Sequence, residues 1–91
     1  MRLKEALHQA SKALRSHSID DAPLEAELLV MHLLGLDRAQ LYSRLEEELS
    51  PHDGEALEQL LRRRLWREPL AYILGRREFF GRDFHVARGI L

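Results

Sequence analysis

Leu3, Leu7, Ala10 and Leu14 stand four, three and four residues apart, and a stripe of the same helical period returns in Leu57, Leu60, Leu61 and Leu65. A chain whose apolar residues recur every three or four positions can bury them only along helix stripes. A strand would throw successive ones onto opposite faces. The first stripe predicts a helix that ends near Ser16, where Ser16, His17 and Ser18 leave the pattern. Asp20-Asp21-Ala22-Pro23 then reads as a helix start, with acids near the positive end of the dipole and proline in the first turn. Leu24, Leu28, Met31 and His32 follow as the expected inward face, widened by Leu29 and Leu34, and Gly35 is placed to end the helix left-handed.

The punctuation continues. Asp37 with Gln40 forms the pattern of a capping box and opens a short helix expected to run through Leu41 and Leu45. Glu46-Glu47-Glu48 reads as solvated surface. Ser50-Pro51 is an N-cap and first-turn pair for the longest helix, whose end collects Arg62, Arg63, Arg64 and Arg67 against the negative end of its dipole. Pro69 starts a last short helix, Leu70 to Leu74, stopped by Gly75. Beyond it the period changes. Glu78-Phe79-Phe80, Gly81-Arg82 and Asp83-Phe84-His85-Val86 read as a β-hairpin whose turn has glycine first. An isolated hairpin is marginal in water, so this one needs something to pack on. The expected fold is therefore mainly α: a bundle of four to five helices over residues 1–75, then a β-hairpin linker over 76–91.

At 91 residues, 45% hydrophobic and 32% charged, the chain suits one folded domain. It has no cysteine, which excludes a disulfide framework, a thiolate metal site and a cysteine nucleophile. No apolar run approaches the ~20 residues of a membrane span, and the charged start Met1-Arg2-Leu3-Lys4-Glu5 is unlike a signal peptide, so a cytoplasmic location is expected. The chain stops at Gly89-Ile90-Leu91 without a polar tail, the pattern of a boundary inside a longer protein.

The residues that carry chemistry are not grouped for it. His8, His17, His32, His52 and His85 show no metal-ligand spacing, and His32 reads as a hydrogen-bonded core residue. The five glycines fit no phosphate loop, and no serine sits in a nucleophile turn. Glu25 and Glu27 are two apart on a helix and so point in different directions. No catalytic, cofactor or metal residue is expected in this chain.

What remains is a charge asymmetry. Residues 1–58 hold six basic against twelve acidic side chains, while 59–91 hold eight against three. The basic third interleaves arginine with Trp66, Tyr72, Phe79 and Phe80, a mixture that suits a protein interface or, alternatively, phosphates and bases. A basic helix face paired with the acidic half, or simply solvated, accounts for the same composition. Arg62, Arg63, Arg64, Arg67, Arg76, Arg77, Phe79 and Phe80 are the candidate partner-binding residues.

The stretch Arg67-Glu68-Pro69-Leu70-Ala71-Tyr72-Ile73-Leu74-Gly75-Arg76-Arg77-Glu78-Phe79-Phe80-Gly81 resembles the end of the N-terminal domain of the PrmC/HemK family, the peptide chain release factor glutamine methyltransferases. Asp21-Ala22-Pro23-Leu24-Glu25-Ala26-Glu27-Leu28-Leu29 looks like that family's second-helix motif, and Arg62-Arg63-Arg64 falls where the family is basic. The resemblance implies a helical domain joined by a β-hairpin to a Rossmann-like, S-adenosylmethionine-dependent methyltransferase domain. It implies methylation of the amide nitrogen of the glutamine in the Gly-Gly-Gln loop of class 1 release factors. That nitrogen is a feeble nucleophile, and the family's Asn-Pro-Pro-Tyr motif orients it towards the methyl group, so catalysis rests on positioning. The motif is absent here, since the chain has no asparagine and no Pro-Pro pair, and the glycine-rich cofactor loop is absent as well. The family's Ile-Pro-Arg-Pro segment would begin at Ile90-Leu91. The resemblance thus implies a domain, monomeric and without its own cofactor, that recognises a class 1 release factor for a methyltransferase. Direct nucleic-acid or membrane binding is not expected. Its rivals are an RNA- or ribosome-binding adaptor that uses the arginines, and an inert folding module.

Overall fold

The structure, a computed structural model, describes residues 1–75; the hairpin expected over 76–91, with Arg76, Arg77, Phe79 and Phe80, lies outside the described residues. Five helices follow one another: α1 (Leu3–Ser16), α2 (Ala22–Leu34), α3 (Arg38–Ser43), α4 (Pro51–Leu65) and α5 (Leu70–Leu74). The mainly α expectation holds for them.

The caps form as the sequence suggests. The Asp37 carboxylate accepts from the Gln40 backbone N–H at 2.8 Å, while the Gln40 side-chain oxygen accepts from the Asp37 N–H at 2.9 Å. The Ser50 hydroxyl accepts from the Asp53 N–H at 3.1 Å. Each bond satisfies a donor that the helix start would leave unpaired.

The ends hold a surprise. Three helices close with a left-handed residue, after which the next backbone N–H reaches back five positions to a carbonyl of the last turn. At α2 the left-handed residue is Gly35, φ 68°, with Leu36 N–H donating to the Met31 carbonyl at 3.0 Å. At α1 it is Ser18, φ 63°, with Ile19 N–H donating to the Leu14 carbonyl at 3.1 Å. At α4 it is Arg67, φ 73°, with Glu68 N–H donating to the Arg63 carbonyl at 3.1 Å. A side chain in that conformation costs ~1–2 kcal/mol, which tertiary contacts must offset. Behind Ser18 the offset is visible: Ile19 is buried at 4% exposure among Ala10, Leu14, Ala22 and Ala26.

The core is one apolar body in two clusters, and among the described residues no polar side chain is buried. Leu3, Ala6, Leu29, Val30, Leu41, Leu57, Ile73 and Leu74 form the first cluster, at the end of the bundle where α1 and α4 begin. The second lies between α1, α2 and the end of α4, with Leu7 and Leu61 packed on both. The expected face of α2 is corrected. Its buried residues are Ala22, Ala26, Leu29 and Val30, whereas Leu24 is 44% exposed and His32 is half-buried rather than in the core. A helix that is apolar nearly all round has no stripe for the sequence to show. What selects the face is the close approach of α1, which Ala10, Ala22 and Ala26 permit because they are small.

A second correction concerns α3, which stops at Ser43 and not at Leu45. The chain turns back there along the start of α1. The Leu45 and Glu47 carbonyls accept from the Lys4 and Leu3 N–H groups at 3.0 and 2.8 Å, and Leu49 N–H donates to the Met1 carbonyl at 2.9 Å. Two unpaired donors of α1 thereby gain partners more than forty positions away in sequence. The glutamates of this strap are exposed, as expected, yet two of the three are also paired. Glu46 meets Arg2 and Lys4 at 3.1 and 2.9 Å, and Glu48 meets the N-terminal ammonium at 3.0 Å.

Candidate partner-binding surface

The end of α4 carries the candidate arginines, and successive residues on a helix point ~100° apart. Arg62, Arg63 and Arg64 consequently serve three directions. Arg64 reaches across to α2, where its guanidinium donates to both oxygens of Glu25 at 2.7 and 3.3 Å; the two side chains are only 18% and 14% exposed. Its remaining nitrogen donates to the Glu68 carbonyl at 3.2 Å. Arg63 grips the Glu68 carboxylate with two bonds, at 2.9 and 2.5 Å, and this contact holds its own charge still more firmly than an ordinary arginine's. Arg62 stands apart, 64% exposed, with a loose 3.7 Å pair to Glu58 one turn earlier.

Arg67 lies beyond the helix end. Its guanidinium donates to the His17 carbonyl at 2.6 Å and ties the end of α4 to the end of α1. Since Leu49 also bonds to Met1, the two helices run side by side in the same direction. Of the eight candidate residues, then, the structure brings Arg62 and Arg67 to the exposed surface, uses Arg63 to hold the elbow between α4 and α5, and uses Arg64 mainly to tie α4 to α2. Arg76, Arg77, Phe79 and Phe80 fall outside the described residues.

Trp66 is the surface residue that the candidate set omits. It is 82% exposed, the most open of the large apolar side chains described. A signal was available: Leu57, Leu61 and Leu65 stand four apart, so the next position is turned ~100° off their stripe.

The acids of α2 behave as their spacing predicts. Glu25 turns to Arg64, while Glu27 turns to Arg38 at 3.1 Å and accepts from the Tyr42 hydroxyl. The bond to Glu27 raises the Tyr42 phenol above its ordinary pKa, because ionisation would forfeit the bond and set two negative charges side by side. Both clusters staple helices together. A groove between α1 and α4 is lined mostly by small and apolar residues, among them Ala6, Ala10, Ala13, Leu57 and Leu61, with Gln9, Ser50 and Glu58 as its polar side chains. Among the described residues no helix is long and apolar enough to cross a membrane, and no group of three or more His, Asp or Glu residues is placed to hold a metal ion.

The described residues form a small, mainly helical domain with an apolar interior, whose polar groups serve its own joints and its outer face. The chain belongs to the PrmC N-terminal domain family, whose model matches residues 5–75. It is 40% identical over 91 residues to a release factor glutamine methyltransferase of Koribacter versatilis, covering 100% of this chain and 32% of the relative. It is 39% identical over 89 residues to the protein of the same description in Geobacter sulfurreducens, covering 98% and 31%. A bifunctional methyltransferase of Rickettsia felis is 38% identical over 89 residues, 98% of this chain and 17% of that protein. The chain thus spans less than a third of the length of these curated relatives. No solved structure matches it.

Proposed function

We propose that this chain is the release-factor-recognition domain of an S-adenosylmethionine-dependent methyltransferase that modifies the glutamine of the Gly-Gly-Gln loop in class 1 release factors. One observation carries the reading: proteins described as release factor glutamine methyltransferases match the whole chain while extending well beyond it. A domain with an entirely apolar described interior contributes surface rather than chemistry. The cofactor does not fit here. Among the described residues there is no buried polar side chain and no unpartnered buried polar atom to hold it, and no reaction step is assigned to them. Residues 1–75 act as the recognition body, and 76–91 act as a hairpin linker that transmits its alignment to the catalytic domain. The protein acts as a monomer in the cytoplasm.

The RNA-adaptor reading is weakened by the use of Arg63 and Arg64 inside the fold, because phosphate tracking depends on several cations free to release counterions. The test is an NMR titration of the chain with an unmodified class 1 release factor at low and at moderate salt. Shifts that persist at moderate salt support recognition through a protein interface. No shift at either salt would leave the domain a scaffold, with recognition elsewhere.

A further inference from the structure

Trp66 is anomalous on the described surface. Leu65 before it packs on the second core cluster, and the left-handed turn at Arg67 after it carries the chain away. The indole is left 82% exposed at the junction. Burying an indole removes ~150–250 Å² from water, so an open one forgoes a large apolar contribution. Its surroundings are cationic. Arg62 is its neighbour one turn back on the same face, since Trp66 N–H donates to the Arg62 carbonyl at 3.0 Å. Arg67 follows it directly, and the bond to His17 brings up the end of α1, where Arg15 is exposed in the last turn. Among the described residues neither Arg15 nor Arg67 forms an ion pair, and Arg62 has only its 3.7 Å contact. Asp20 and Asp21, at the start of α2, are the uncompensated acids closest in sequence to this junction.

We propose that Trp66, flanked by Arg62 and Arg67, is the anchor of the docking surface, and that its occupant is a protein face offering an apolar recess for the indole and carboxylates for the two guanidinium groups. This deepens the recognition reading and rests on it: the occupant is the release factor. The observations favour a protein over a nucleic acid. A single aromatic beside two or three exposed arginines makes a compact anchor of the sort that dominates protein interfaces, whereas single-stranded nucleic acid is gripped by successive stacking platforms along a basic groove. Arg67 has a further part. Its bond to His17 holds the turn that presents the indole, so it acts both as a contact and as a positioning residue.

Trp66 is the only tryptophan in the chain and therefore reports on its own surroundings. Its fluorescence is followed while the chain is titrated with an unmodified class 1 release factor, and binding is measured independently by anisotropy of the labelled release factor. The expected result is a blue shift of the emission, protection from acrylamide, and weakening on the order of thirtyfold for Trp66→Ala, the scale of a hot-spot residue. Arg62→Glu should weaken binding roughly tenfold, and both exposed positions should leave the far-UV circular dichroism unchanged. Binding with unmoved emission and a full-affinity Trp66→Ala variant would overturn this surface while leaving recognition intact. Absence of any binding would overturn the recognition reading, and this proposal with it. An emission shift with mixed-sequence single-stranded RNA but not with the release factor, or one that depends only on chain concentration, would assign the anchor to RNA or to a second copy and would overturn the proposal.

Discussion

The Arg64–Glu25 pair joins residues 39 positions apart and ties α4 to α2, so its loss should be felt by the whole bundle. Substituting Arg64→Met keeps the aliphatic reach but strands the Glu25 carboxylate, only 14% exposed, without its counter-charge. Removing one partner of a fully buried pair costs ~3–5 kcal/mol, while exposed pairs are worth ~0.2–1 kcal/mol. With both side chains less than a fifth exposed and two bonds between them, the expected cost is about 2 kcal/mol. In a domain of this size that lowers Tm by roughly 8–16 °C. Replacing both members, Arg64→Met with Glu25→Leu, should recover most of the loss, because no charge is then stranded. The contrast is Arg62→Ala, which removes an exposed 3.7 Å pair and should cost no more than about 0.5 kcal/mol. Urea unfolding followed by circular dichroism measures the wild type, the three single variants and the double variant. A loss below about 0.5 kcal/mol for Arg64→Met, additive with Glu25→Leu, would refute the view that this pair is structural. The same outcome would return Arg64 to the set of residues available to a partner.

Leu14 and Leu29 are fully buried, so truncating either to alanine should cost about 3 kcal/mol in the same assay. Ser18→Gly should stabilise the chain by about 0.5–1 kcal/mol, since relief of the left-handed strain outweighs the added freedom of the unfolded chain; a destabilised variant would show that the serine side chain is needed there. The hydrogen bond and charge of Lys4, helped by Arg2, hold the Glu46 carboxyl below the usual carboxylate range. A carboxyl depressed on folding contributes stability that is present above its unfolded pKa and lost as pH falls through the folded one. Urea midpoints should therefore fall on acidification through that window, less steeply in Glu46→Gln and less steeply in high salt.

The parts of this protein that follow from near neighbours along the chain are legible in its residues alone. The helix starts at Asp37 and Ser50 depend on side chains reaching three residues along the chain, and both bonds form. The stop at Gly35 needs only a residue at ease with φ 68°. The opposite aims of Glu25 and Glu27 follow from helix geometry alone. The motif from Arg67 to Gly81, with that from Asp21 to Leu29, carries the family resemblance, and the family match over residues 5–75 agrees with it.

Other features belong to the tertiary structure because their causes lie far away in the chain. The left-handed turns at Ser18 and Arg67 have no local preference behind them. They are held by Ile19 entering the core and by Arg67 reaching His17. The buried face of α2 is chosen by contact with α1, not by its own periodicity. The early end of α3 frees the Leu45 and Glu47 carbonyls for the open start of α1. The sharpest case is the arginine run. Composition gathers Arg62, Arg63 and Arg64 into one basic patch, but the helix turns them apart and the fold gives two of them carboxylates of its own. A charge is visible in the sequence, whereas whether it is already spent depends on what packing brings within about 3 Å of it.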